Sequence, residues 1–262
     1  MSILKVVLRA VITVCSRLLA QIEKEKSRSS LRSFVASMSK DHPFSSFPKL
    51  HVGNFFADSK EFFDHYDVFS YWVFKTVSQM GNGHKIFDLG GVKAISAVFS
   101  VNNSLTSVVL ADCGDTLTSV SYVKHDVCKP LPFSDGQFDI FTSTVSLNLL
   151  GLGRYGDAVS PNTLIIFLDE LNRVMKPKSH LFFSLSIGAD CLNFRNTWIF
   201  SHETVLRLFG DWKLVDFFID NQSGNVVDLT HSVQRFSKSP HDRVLNEGQY
   251  RIGFYHFCRD KA

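Results

Sequence analysis

The sequence is poor in the residues that build disulfide frameworks, metal sites and membrane spans. Only 5 of its 262 residues are cysteine, and they stand alone, with no CxxC pair and no HExxH motif. We therefore expect neither a disulfide framework nor a metal site. No uncharged apolar run approaches the ~20 residues of a membrane-spanning helix. A P-loop pattern and a persuasive Ser–His–Asp arrangement are also missing, which argues against kinase and hydrolase activity.

Positive charge is scarce outside the N-terminal region. Residues 1–40 carry eight Lys or Arg residues against two Glu residues, a net charge of +6, so the other residues contribute −3 to the total of +3. Nucleic-acid binding needs Lys and Arg spread over a face of the folded body. We therefore expect no nucleic-acid partner.

The basic N-terminal region reads as an amphipathic segment. Residues 1–20 place Lys5 and Arg9 on one side of a helix, with Leu4, Val7 and Leu8 on another. Such a helix suits the inner face of the cytoplasmic membrane, but it equally suits packing on the protein or on a second subunit in an oligomer. We predict a cytoplasmic protein, with residues 1–40 as this segment and a linker, and residues 41–262 as one domain.

What is abundant is alternation of helical and extended patterns from Lys60 onward. Strands are predicted at His84–Leu89, Thr106–Ala111, Ser119–Lys124, Phe138–Thr142, Leu181–Ile187, Trp212–Ile219 and Tyr250–Cys258. Helices are predicted at Phe62–Met80, Ala94–Val101 and Leu164–Met175, with a short one capped by Ser201. The last two strands follow one another across Asp220–Gly248, read as a loop or partly ordered flap. The pattern predicts an α/β, Rossmann-like fold with a mostly parallel seven-stranded sheet and a C-terminal antiparallel hairpin.

Small and acidic residues follow the predicted strands, where open α/β sheets bind ligands. The positions singled out are Asp88, Gly90 and Gly91 where the first strand ends, Asp112 at the end of the second, Asp126 after the third, and Thr144 after the fourth. Glycines let a backbone approach a ligand closely, and carboxylates accept hydrogen bonds from ribose or adenine groups. A turn or helix cap is the alternative interpretation of any single Asp.

Two stretches resemble class I S-adenosylmethionine (SAM) methyltransferases. HDVCKPLPFSDGQFDIFTST matches the pattern of an acidic residue, then LPF, Asp and a strand opening with FD. LDELNRVMKPKSHLFFSLSIG resembles a helix that ends at LKPGG before a strand, with Lys178 and Ser179 in place of the glycines. The resemblance implies SAM as the cofactor, bound by the six positions above.

GLGRYGD, Gly151–Asp157, carries a narrower resemblance. Together with YDVFSYWV and Trp198 it resembles a methyltransferase-like family classed as a domain of unknown function, whose bacterial members are associated with surface-polysaccharide biosynthesis. This implies methyl transfer from SAM to a sugar hydroxyl of a polysaccharide or its precursor. The chain departs from the pattern twice: it lacks GxGxG after the first strand, and Asn148 begins the tripeptide that precedes GLGRYGD, where an acid and a histidine are expected.

Candidate residues for this chemistry follow from their expected position above the strands. A sugar hydroxyl needs a general base, for which Asp157 and His202 are the candidates. Arg154 and Tyr155 are predicted to hold an acidic sugar or phosphate group, and the same cleft is predicted to include Arg195 and Trp198.

Three alternatives stay open. GLGRYGD can be a structural loop with an internal Arg154–Asp157 pair. The protein can be a catalytically inactive scaffold or regulatory subunit, with its cleft filled by side chains such as Phe99 or Phe133. A NAD-type oxidoreductase shares the strand–glycine–helix pattern, although the paired final strands favour the methyltransferase fold.

Overall fold

The structure is a computed structural model that describes residues 29–39, 41–47, 49–50, 65–90, 93–110, 116–220, 236–237 and 250–260. The chain divides into two compact units, Met1–Ser46 and Phe47–Ala262. In the first unit, residues 29–36 are helical (α1). The predicted amphipathic segment at residues 1–20 lies outside the described residues. Of the helices that are described, none combines the length and apolar character needed to cross a bilayer.

The second unit contains the predicted alternation of helices and strands. Its elements are β1 (Lys49–Leu50), α2 (His65–Met80), β2 (Lys85–Leu89), α3 (Lys93–Phe99), β3 (Ser104–Val109), β4 (Val120–Lys124), β5 (Phe138–Thr144), a 3-10 turn η1 (Leu147–Leu149), α4 (Thr163–Val174), β6 (Met175–Gly188), β7 (Cys191–Asn193), β8 (Thr197–Ile199), α5 (His202–Leu208), β9 (Lys213–Asp220), β10 (Phe236–Ser237) and β11 (Tyr250–Cys258).

The main sheet has the strand order β10-β9-β11-β6-β5-β2-β3-β4. Strands β2 to β6 pair in parallel, and β11 lies antiparallel between β6 and β9. The predicted mostly parallel seven-stranded sheet with its antiparallel hairpin is therefore confirmed. A short eighth strand, β10, pairs with β9 from within the segment predicted as a loop or flap.

A second, three-stranded sheet with the order β1-β7-β8 was not predicted. Its strands have two or three residues each, too few to establish the alternation that identifies a strand. Predicted bounds elsewhere differ from the observed ones by a few residues. The largest difference is β6, which begins at Met175 and includes a register irregularity before His180.

Helices cover both faces of the main sheet because their apolar residues fall on one side. On one face, α2 buries Val68, Phe69, Val73 and Val77 in a cluster that includes Phe99 and Phe254. On the other face, Phe167 of α4 packs against Phe87 and Phe141. Strand β5 is buried along nearly its whole length, as expected for a strand covered on both faces.

The observed helix ends agree with local signals in the sequence. The predicted cap of α5 is confirmed, since Ser201 Oγ accepts from the backbone N–H of Thr204 over 3.1 Å. Helix α4 ends at Val174, three residues before Pro177, because a proline cannot continue a helix.

Arg173, in the last turn of α4, explains the LPF and LDELNR patterns physically. Its guanidinium donates five hydrogen bonds: two to Glu170, one to Asp135, and one each to the carbonyls of Leu131 and Phe133. Glu170 in turn accepts from the N–H of Leu131 over 2.6 Å. Hydrogen bonding and pairing with Arg173 lower the pKa of Glu170. One helix thus fixes the loop that leads into β5.

We expect Arg173→Ala to lower the free energy of unfolding by about 2–3 kcal/mol, because it leaves the Glu170 carboxylate and two carbonyls without their partner. Arg207→Ala is the matched control, since exposed Arg207 donates only to the Thr204 hydroxyl among the described residues. Urea unfolding of both variants checks the expectation. Equal losses in the two variants would contradict the role given to Arg173.

Two histidines face each other on β6 and β11. His180 Nδ1 and His256 Nε2 lie 2.9 Å apart, and the His256 ring stacks on Phe182. Burial, followed by the charge of His180, lowers the pKa of His256 from 6.5 to about 3. In the unfolded chain His256 takes up a proton below pH 6.5, but in the folded protein it stays neutral until about pH 3.

We therefore expect the free energy of unfolding to fall as the pH falls from 6.5 to about 3. The titration of His256 contributes at most ~1.4 kcal/mol per pH unit to this fall. His256→Phe removes the titrating group and should flatten the dependence by up to that amount. Urea titrations over the window check this. Parallel pH profiles for the wild type and the variant would show that protonation of His256 does not contribute.

Candidate functional site

A cavity lies at the carboxyl ends of β2, β3, β4 and β5. Here the sheet has its topological switch point, because β3 and β4 lie on one side of β2 and β5 lies on the other. The cavity has a volume of about 480 Å³, within the range of small-molecule sites. Its described wall consists of Tyr66, Leu89, Gly90, Val108, Val109, Leu110, His125, Asp126, Val127, Cys128, Thr144, Val145, Ser146, Leu149, Leu150, Tyr155, Asp157 and Thr163.

Asp88, predicted to bind the cofactor, lies one residue before this wall and does not line it. It is fully buried in β2, and its carboxylate accepts hydroxyl hydrogen bonds from Ser107 over 3.0 Å and Thr142 over 2.8 Å. These two residues are its direct neighbours on β3 and β5. The carboxylate therefore links the three central strands.

Gly90 lines the cavity as predicted, and its position requires glycine. Its φ is +114°, and a Cβ atom there would collide with Ser146 Oγ. The loop after β2 therefore lies directly against the segment that follows β5. Gly91 and Asp112 lie outside the described residues.

Asp126 also lines the cavity. Its Oδ1 accepts from the N–H of Cys128 over 3.0 Å, a turn that fixes the carboxylate after β4. Sequence reasoning found Asp126 but missed Cys128, whose Sγ lies 3.1 Å from Thr163 Oγ1 at the start of α4. Burial raises the pKa of the Cys128 thiol; the Thr163 hydrogen bond opposes this, and Asp126 and Asp157 add to it.

The end of β5 combines an unsatisfied hydroxyl with a strained backbone. Thr144 is 2% exposed, and its Oγ1 has no hydrogen-bond partner among the described residues. Val145 has a φ of 46°, which is rare for a β-branched residue and costs on the order of 1–3 kcal/mol. Its N–H donates to the Ser184 carbonyl over 3.1 Å, which holds it there. Both features are typical of functional sites.

The GLGRYGD loop brings Tyr155 and Asp157 to the cavity. Its three glycines all have positive φ, and Asp157 accepts backbone N–H hydrogen bonds from Gly153 over 3.1 Å and Tyr155 over 3.2 Å. Arg154 is exposed and donates to the carbonyl of Asn196 over 3.2 Å rather than to Asp157. The interpretation of an internal Arg154–Asp157 pair is therefore wrong, while a structural role of Asp157 in its loop is present.

The other predicted substrate and catalytic residues lie outside the described cavity wall. Trp198 is buried, and its indole N–H donates to the Leu150 carbonyl over 3.3 Å, so it supports the wall from behind. Arg195 is exposed in the turn between β7 and β8. His202 Nδ1 lies 3.1 Å from the Tyr255 hydroxyl, with its ring against Phe217.

Tyr66, His125 and Thr163 are wall residues that the sequence reasoning missed. His125 and Cys128 flank Asp126 in the predicted loop after β4, so their proximity in sequence was an available signal. Tyr66 and Thr163 begin helices whose approach to the sheet depends on tertiary packing. The amide of Asn148 donates to Ser186 and Thr197 and is not part of the wall. No group of three or more metal-ligating side chains occurs in the described ranges.

Solved structures with a similar fold include several methyltransferases and a [4+2]-cyclase, SpnF. The Burkholderia thailandensis 1,6-didemethyltoxoflavin-N1-methyltransferase, with bound 1,6-didemethyltoxoflavin and S-adenosylhomocysteine, is 12% identical and has a TM-score of 0.50, covering 74% of this chain and 77% of that chain. A putative methyltransferase from Bacillus halodurans is 14% identical with a TM-score of 0.48, covering 72% and 99%. The likeness to the former, together with the strand order, shows the class I methyltransferase fold.

No curated protein matches the sequence. The model of one protein family matches residues 90–245, more than half of the chain, and this stretch begins at the Gly90 loop and includes β3 to β9. The chain therefore belongs to the family DUF268, described as a Caenorhabditis protein of unknown function.

Proposed function

We propose that the protein is a SAM-dependent methyltransferase that binds SAM in the cavity at the carboxyl ends of β2 to β5. The observation that carries the proposal is the open cavity at the topological switch point, beside the carboxyl ends of β2 and β5. The similar Burkholderia enzyme was solved with S-adenosylhomocysteine bound, which supports the choice of cofactor.

The residues present fit an adenosyl ligand. Gly90 lines the cavity without a side chain, Asp126 offers a fixed carboxylate as acceptor for hydroxyl or amino groups, and the buried Thr144 hydroxyl needs a partner. A buried polar group without a partner costs free energy. A ligand that hydrogen-bonds Thr144 would remove that cost.

When bound, SAM would supply an electrophilic methyl group to the acceptor oxygen, leaving S-adenosylhomocysteine, and the hydroxyl proton would pass to a base of this chain. Asp157 is the proposed base for this proton. Each of its oxygens already accepts one N–H, which leaves lone pairs for the acceptor hydroxyl. His202 is a weaker candidate, since it lies against Tyr255 and Phe217.

The proposed acceptor is a sugar hydroxyl of a polysaccharide or its precursor, as the resemblance of GLGRYGD implies. Tyr155 lines the cavity with much of its ring exposed and offers a surface on which a sugar ring can stack. We also propose that residues 1–20 contact the inner face of the cytoplasmic membrane, as their amphipathic pattern predicts.

A catalytically inactive scaffold is the second candidate. The Asn148 amide, at the position where an acid was expected, turns to Ser186 and Thr197. However, the cavity is not filled by the side chains that this alternative named. Phe99 lies in the core cluster beneath α2, and Phe133 packs against Phe87 and Phe138.

The direct test is calorimetric titration of the full chain with S-adenosylhomocysteine. We expect saturable binding in a one-to-one ratio. Absence of binding to a well-folded protein would refute both SAM-dependent activity and a SAM-sensing scaffold. Binding without methyl transfer to any carbohydrate acceptor would favour the scaffold.

A paired substitution at the end of β5 separates binding from folding. Thr144→Val should weaken S-adenosylhomocysteine binding about three- to tenfold, the value of one neutral hydrogen bond. It should leave the melting temperature unchanged or higher, because it removes an unpaired buried hydroxyl.

Ser143→Ala is the matched control. Ser143 Oγ is also buried without a partner among the described residues, but Ser143 does not line the cavity. It should match Thr144→Val in stability and leave binding unchanged. Equal weakening of binding by both substitutions would argue against a contact between Thr144 and the ligand.

A further inference from the structure

We propose that Ser184, in β6, is a positioning residue of the candidate site. It holds Val145 in a left-handed backbone conformation that places three successive residues on the cavity wall. Ser184 itself does not belong to the described wall, so it acts on a bound ligand through Val145 and the neighbours of Val145 in the chain. The inference rests on the proposed function, since it concerns the wall of the proposed SAM cavity.

The cavity wall at the end of β5 breaks the alternation of a strand. Thr144, Val145 and Ser146 all line the cavity, whereas successive side chains of a regular strand point to opposite faces. The backbone of Val145 accounts for the difference, because its φ of 46° ends the extended conformation directly after Thr144. The left-handed residue therefore keeps the unpaired Thr144 hydroxyl and the two residues after it on one wall.

The same conformation sets the contact between β5 and the loop after β2. Ser146 Oγ lies so close to Gly90 that a Cβ atom at Gly90 would collide with it, and it donates to the Thr144 carbonyl over 3.3 Å. Strands β2 and β5 are direct neighbours in the sheet, so this contact closes the wall between them. A different backbone conformation at Val145 would displace Ser146 from Gly90.

Valine is poorly suited to the conformation that this position requires. A positive φ is a clear outlier for a β-branched residue, and it is routine only for Gly and, less often, for Asn or Asp. A group outside residue 145 must therefore stabilise it. Such strain persists where the surrounding structure holds it in place, and it is concentrated at functional sites.

Ser184 supplies the stabilising contacts. The N–H of Val145 donates to the Ser184 carbonyl over 3.1 Å and also lies 3.1 Å from Ser184 Oγ, which accepts from it. Ser184 is fully buried and pairs with Thr144 in the sheet, so both acceptor oxygens have fixed positions. The Ser184 hydroxyl is thus a side-chain determinant of the wall that lies on the neighbouring strand.

The test measures the dissociation constant of S-adenosylhomocysteine by calorimetry, together with the melting temperature, for variants of the full chain. Ser184→Ala removes one of the two acceptors and should weaken binding about three- to tenfold. Val145→Asn should raise the melting temperature by about 2–4 °C, because asparagine tolerates the left-handed conformation. In the Val145→Asn background, Ser184→Ala should no longer weaken binding, since asparagine needs no external acceptor to adopt this conformation.

Lys178→Asn is the matched control for general stabilisation. Lys178 is exposed, has a φ of 61° and lies outside the described wall. In the Lys178→Asn background, Ser184→Ala should weaken binding as much as it does in the wild type. The proposal is overturned if Ser184→Ala binds like the wild type, or if the two asparagine backgrounds behave alike. Should Ser184→Ala not fold, an unchanged or lower melting temperature of Val145→Asn overturns it.

The inference and the proposed function fail separately. If the folded wild type does not bind S-adenosylhomocysteine, the cofactor is refuted, and the melting temperatures decide the role of Ser184. Ser184→Ala should then cost less stability in the Val145→Asn background than in the wild type, and equal losses would refute the positioning role. Binding of the ligand with equal weakening by Ser184→Ala in both backgrounds would keep the cofactor and refute the inference.

Discussion

The carboxylate of Asp88 is the interaction on which the candidate site depends. It accepts hydroxyl groups from its neighbours on both sides, Ser107 and Thr142, in the interior of a parallel sheet. A buried carboxyl group is tolerated only when its hydrogen bonds are satisfied, so the two hydroxyl partners favour this register of the three strands. The carboxyl ends of β2, β3 and β5 therefore stop at fixed heights, and the space above them forms the cavity.

Contacts of two residues outside the central strands fix the loops around the cavity. Arg173 ties the loop before β5 to α4, while Trp198 holds the carbonyl of Leu150 from behind the wall. Neither residue lines the cavity, yet both position backbone that does or that leads into it. This arrangement leaves the wall itself free for ligands, with its unsatisfied Thr144 hydroxyl and its strained Val145. A binding site needs rigid supporting residues behind wall side chains that can still form hydrogen bonds to a ligand.

The sequence allowed the succession of strands along the chain and the mostly parallel sheet with its antiparallel hairpin to be predicted, since hydrophobic alternation and the LPF and FD patterns report local structure. It did not indicate that the Asp88 carboxylate is buried against Ser107 and Thr142, because those two neighbours come from other strands. It also placed Trp198 in a cleft, although its indole is buried. Whether Tyr66 and Thr163 reach the wall depends on how two helices pack on the sheet, and no local pattern encodes that distance. The strands of the small sheet were too short to detect.

The position of β11 has a consequence for synthesis of the chain. Among the described strands, β9 reaches β6 and the parallel strands through β11, which follows β9 in sequence but lies between it and β6. On the ribosome, β6 and β9 therefore emerge with their facing edges unpaired and wait for β11. Unpaired strand edges are sites of intermolecular association. The nascent protein should depend most on chaperone protection during the interval between the emergence of these two strands.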